Sequence, residues 1–163
     1  MRTVHWIFVV SVALFLSGIS LTIAAARAAR HATPAAPTAD LKPVGSVKQI
    51  MKGITGPATN AIFNSVSTSV TKSGIEEVAP HTDAEWEALG NSAVALIESG
   101  NLMLIGNRAI DQGDWVKITR AMIDAGTLAL RATEAKSPDK ILEAGEKINE
   151  TCDACHAKYQ RGS

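Results

Sequence analysis

The chain has 163 residues, room for one ordinary domain and a leader but short for two domains. Its 16 basic and 16 acidic side chains balance, which indicates neither a nucleic-acid footprint nor a trap for acidic substrates. Beyond the first 30 residues the only aromatics are Phe63, Trp86, Trp115 and Tyr159. A core of Ala, Val, Ile and Leu then suggests helices, with volume left for a large flat cofactor.

The chain opens with an export signature. Ile7 to Ala26 carries no charge, and small residues at Ala24 to Ala29 supply cleavage options after Ala26 or Ala28. The uncharged run, about 20 residues, is also long enough to span a bilayer. Residues 1–28 therefore read as a signal peptide or an N-terminal membrane anchor, with residues 7–26 as the tether in the second case. Either way the remainder is expected in the periplasm, soluble or tethered to the inner membrane. Cleavage after Ala28 leaves 14 basic against 16 acidic side chains. Residues 29–45, rich in Pro, Ala and Thr, follow as an extended linker.

From Ser46 onward, a helical rhythm recurs four times. In the first segment Val47, Ile50, Met51, Ile54, Ala58, Ile62, Val66 and Val70 fall at steps of three and four. Gly56-Pro57 predicts a kink or a brief break within it. KSGIEEVAPH reads as a connection. Thr82 with Glu85 has the capping-box pattern, and Trp86, Leu89, Ala93 and Ile97 continue the second helix. Asp114 is placed to cap the third, which carries Trp115, Ile118, Met122, Ala125, Ala129 and Ala132. Ser137-Pro138 starts the fourth, whose stripe runs through Ile141, Gly145, Ile148, Cys152, Cys155, His156 and Tyr159. With no convincing strand, the expected fold class is all-α, an antiparallel four-helix bundle over residues 46–163. Glycines on the inner stripes (Gly90, Gly126, Gly145) allow close helix approach.

Both cysteines lie in CDACH, which has the Cys-x-x-Cys-His form of a covalent haem attachment site. On a helix, Cys152, Cys155 and His156 stand at i, i+3 and i+4 and share one side. Two thiols can then join the two vinyl groups of a porphyrin while the imidazole meets the iron. A zinc site wants four ligands, and besides this trio the exported core offers only His81. A redox dithiol belongs at a helix N-terminus in an α/β unit, whereas this pair sits near a helix C-terminus. One covalent haem c is the expected cofactor.

CDACH at the end of the last of four helices, followed by Tyr159, resembles the cytochrome c′ group, the class II c-type cytochromes. The likeness covers about residues 44–161. It departs where the family often has a basic residue directly after the aromatic: here Gln160 precedes Arg161, which puts an arginine role beside the haem in doubt. The resemblance implies one of two functions. In one, a methionine of the first helix completes the iron coordination and the protein carries single electrons between redox partner proteins. In the other, the iron is five-coordinate and binds nitric oxide or carbon monoxide. It also implies pairing through the first two helices in some members, although no exposed stripe here commits the chain to a homodimer. No Ser/His/Asp constellation accompanies the motif, so the chain is not expected to be an enzyme.

In an up-down-up-down bundle, the first helix starts beside the end of the last. Met51, in VKQIMKGI, and His156 lie at matching depths, which makes Met51 the candidate distal ligand. His81 falls at the far end, Met122 near mid-helix as core filler, and Met103 at the right end with its facing unsettled. Trp115 and Tyr159 fall at the haem end as packing candidates.

Overall fold

The computed structural model describes residues 5–7, 9–12, 14–15 and 41–160. Most of the expected signal or anchor segment 1–28 and of the linker 29–45 lies outside the described residues, as do residues 161–163. Among the described residues no helix is long and apolar enough to cross a membrane. The pieces described between residues 5 and 15 are helical and exposed. Residues 41–163 make a separate unit, which holds the CDACH motif.

The first helical run of this unit has three parts: α1 (Val47–Ile50), a π turn (Met51–Thr55) and α2 (Gly56–Phe63). Ser46 opens it with a capping box. The Gln49 amide donates to Ser46 Oγ at 3.3 Å, and the Ser46 amide donates to Gln49 Oε1 at 2.9 Å. The break anticipated at Gly56-Pro57 takes the form of the π turn just before it. A prolyl ring collides with the carbonyl four residues back in a regular α-helix, and widening the turn relieves that clash. Gly56 closes the turn by donating to the Met51 carbonyl. A Cβ at Gly56 would stand 2.9 Å from that same oxygen, so only glycine fits without a backbone shift.

Two sequence expectations fail next. The first helix does not continue through Val66 and Val70, because it stops at Phe63. In place of a plain connection stands a β-hairpin, β1 (Ser67–Thr71) and β2 (Gly74–Val78), in antiparallel register from Ser67 opposite Val78 to Thr71 opposite Gly74. Thr and Val are β-branched and suit a pleated strand better than a helix, and Ser competes with helical backbone bonds. Gly74, at φ +134°, makes the turn that reverses the chain. Val66 is buried, but Val70 is 83% exposed. The chain is therefore mostly helical with one small sheet, not free of strands.

Thr82 caps α3 (Asp83–Leu104), and both bonds of its predicted capping box form. A 3-10 turn (Gly106–Arg108) leads to α4 (Asp114–Glu134), then α5 (Pro138–Tyr159) starts as anticipated with Ser137 as cap and proline in the first turn. Asp114 does not cap α4. It is the first helical residue, and the Asp111 carboxylate accepts from the Trp115 amide at 3.1 Å instead. Helix α4 packs along both α3 and α5, while α2 touches α3 and, more sparsely, α5. Ion pairs at the ends fix the directions: Lys136 at the end of α4 meets Asp83 at the start of α3, and Lys158 near the end of α5 meets Asp114.

The core is built from small aliphatics, with Ala93, Leu96, Ala129 and Ile148 fully buried. One polar pair crosses it. Thr55 Oγ1 donates to Ser99 Oγ at 3.0 Å, and Ser99 donates on to the Leu96 carbonyl at 2.7 Å. Ser99→Ala would strand a buried hydroxyl and is expected to cost ~1–3 kcal/mol. The double variant Thr55→Val/Ser99→Ala should cost less, which denaturant midpoints will decide.

Candidate functional site

Helix α5 stays regular through Tyr159, so Cys152, Cys155 and His156 keep the i, i+3, i+4 spacing on one side. Cys152 and Cys155 are half-buried and packed against the core, while His156 is exposed at the last turn. All three line a cavity of about 340 Å³, within the ~300–1,000 Å³ typical of small-molecule sites. Met51, Thr55 and Thr59 line it from the first helical run, and Met103 and Met122 from α3 and α4. Residues from opposite ends of the domain's sequence thus share one space.

The register behind this meeting can be read from one contact. A Cβ on Gly145 would touch the Phe63 ring at 3.7 Å. Twelve residues back from Phe63 and twelve forward from Gly145 lead to Met51 and Ala157, beside His156. The depth match expected from antiparallel packing is therefore present in the register of the chain.

Burial pushes the Cys152 and Cys155 thiols up from their ordinary range, and the Asp153 carboxylate adds to the effect at Cys152. A redox dithiol is built with the opposite shift, toward the thiolate. Among the described residues no group of three or more His, Cys, Asp or Glu could hold a metal ion, whereas structural zinc takes four such ligands. A haem needs from the protein two thiols, an imidazole and apolar walls, and this donor set fits it.

Met103 is 2% exposed and faces the cavity, which settles its direction. Met122, expected as core filler, is both buried and part of the cavity wall. Thr59 is buried, and its Oγ1 has no hydrogen-bond partner among the described residues. His81 stands at the start of α3, where its backbone amide donates to Glu85 at 2.7 Å.

Trp115 and Tyr159 do not line the cavity. They pack edge to face, with ring centroids 5.1 Å apart, behind the last turn of α5. The Trp115 indole donates to the Met103 carbonyl at 3.2 Å. Tyr159 donates to Asp111 Oδ2 at 2.5 Å, while Asp111 Oδ1 accepts from the amides of Gly113 and Trp115. One carboxylate thus ties the turn that carries His156 to the α3–α4 connection. Sequence alone does not single out Asp111. Its only signal is an Asp two residues before a glycine, which reads as a turn. The hydrogen bond from Tyr159 holds the Asp111 carboxyl below its ordinary range, and burial with that bond raises the Tyr159 phenol. No protein-family model, curated protein or solved structure matches this chain, so the reading of the site rests on its own chemistry.

Proposed function

We propose that this chain is a periplasmic class II c-type haem protein that carries single electrons, with its helices forming an antiparallel four-helix bundle. The observation that carries the proposal is the cavity whose lining includes Cys152, Cys155, His156 and Met51 together. Cys152 and Cys155 would hold the porphyrin through thioethers, His156 would be the proximal ligand and Met51 the distal one. When bound, haem would supply a one-electron iron couple, whose potential the Met51 thioether would raise. The chain's own part is to fix the plane, keep water from the apolar walls of Met103 and Met122, and hold the ligands rigid between oxidation states.

A second reading has its own support. Thr55, Gly56 and Thr59 flank the cavity beside Met51 and are small, which leaves room for a diatomic gas on a five-coordinate iron.

The test is the absorption and electron paramagnetic resonance spectrum of the ferric protein, produced with haem-attachment machinery. A low-spin signal with a methionine-to-iron charge-transfer band is expected. A high-spin signal would move the assignment to nitric oxide or carbon monoxide binding. A denaturing gel without a haem-stained band would sink both.

A further inference from the structure

Helix α5 carries Asp139, Glu143, Glu146, Glu150 and Asp153, all exposed. Their steps of four, three, four and three put them on one face, over roughly 21 Å at 1.5 Å per residue. Beside that face, where α2 and α5 touch only sparsely, lies an open groove of about 540 Å³. Ile62, Val66 and Ile141 form its floor, with Leu142 46% and Phe63 38% exposed at its surface. Glu146 and Glu150 stand on its rim, and α2 brings no charged residue to it. Lys147 stands among these carboxylates; it bridges Glu150 at 2.9 Å, and Glu150, Glu146 and Glu143 together raise its ammonium. Phe63 and Asn149 line both the groove and the cavity, so the groove is the outer continuation of the haem site.

An apolar centre with a polar, mainly acidic rim suits a short-lived protein complex, because the charges steer encounter and the centre supplies contact. A second copy of this chain would bring acidic stripe against acidic stripe. Charge complementarity selects a different occupant. We propose that the α2–α5 groove docks a basic redox protein, one presenting lysine or arginine side chains around an apolar patch. This rests on the electron-carrier reading and names its partner's chemistry.

The test compares Glu146→Gln/Glu150→Gln with Glu87→Gln/Glu98→Gln, a pair on α3 that changes net charge equally. Each reduced haem-loaded variant is oxidised by the cation tris(phenanthroline)cobalt(III) and, separately, by ferricyanide. At low salt the groove variant should react about threefold or more slowly with the cation and faster with the anion. The α3 variant should stay near wild type, and high salt should abolish the differences. In parallel, a lysine-rich class I cytochrome is titrated into the isotope-labelled protein, where methyl shifts at Leu142, Val66 and Ile62 are expected and Leu142→Ser should weaken them. Equal rates in the two variants, shifts confined to another face, or shifts that depend on the chain's own concentration would each overturn the proposal. Loss of covalent haem removes the rate measurement and the electron-carrier reading together, while the titration still reports on the groove.

Discussion

Met51→Leu in the haem-loaded protein is expected to turn a low-spin ferric spectrum into a high-spin one and to lower the reduction potential. Leucine keeps most of the half-buried methionine's volume, so its cost in stability should stay below ~1.5 kcal/mol. What it removes is the sulfur. Loss of a thioether opposite histidine stabilises ferric iron, and the drop should be an appreciable part of the ~0.8 V that axial ligands span. Met51→Ala should give the same spectrum with a larger stability loss, because alanine also empties the cavity wall. Titration with nitric oxide separates the roles further, since both variants should bind it more readily than the parent. If Met51→Leu leaves both oxidation states spectrally unchanged, Met51 is a packing residue and the gas-binding reading gains.

The second large effect is expected at Asp111. Asp111→Ala leaves the Tyr159 hydroxyl and the amides of Gly113 and Trp115 without their acceptor. The last turn of α5 should then fray, and the Gln160 amide, which donates to the His156 carbonyl, should exchange with solvent on the order of tenfold faster. Tyr159→Phe removes one of the three bonds and should produce a smaller version of the same change. Amides in mid-α4 should be unmoved in both. The pH dependence has a defined sign. Because the folded Asp111 carboxyl lies below its unfolded value, its stabilisation is full above about pH 4 and lost as pH falls through the folded pKa. The acid limb of the unfolding curve should therefore flatten in Asp111→Ala. Equal exchange rates at Gln160 in the parent and both variants would show that the last turn holds without the latch.

The parts legible in the sequence are those with local causes. Thr82 and Ser137 announce their helices because capping is a matter of a few adjacent residues. That Cys152, Cys155 and His156 share one side of a helix is legible for the same reason, and that Met51 lines the same cavity follows from helix direction and depth. The hairpin is hidden because Val66 and Val70, four apart, satisfy a helical stripe as well as a strand's alternation. The Ser73-Gly74 turn signal lies inside a stretch that reads equally well as a plain connection. Asp111 has no such local mark, since its importance comes from Tyr159, 48 residues away. The acidic face of α5 is readable at helical spacing. It acquires meaning only beside the groove, which no spacing reveals.

The π turn at Met51–Thr55 makes the first helical run two segments out of phase. A single extra residue inserted in an α-helix rotates everything before it by ~100° relative to everything after. Removing one residue from this turn would restore a continuous helix, and Met51 would swing off the cavity wall while Thr55 and Thr59 kept their places. One in-frame codon, lost or gained in this short stretch, could therefore change the distal side of the site without altering any residue that touches it. On the haem reading, such a length change, with no substitution, would turn a methionine-ligated iron into one open to small gases. Among relatives, the length of the segment between Ser46 and Pro57 would then say more about distal coordination than the mere presence of a methionine.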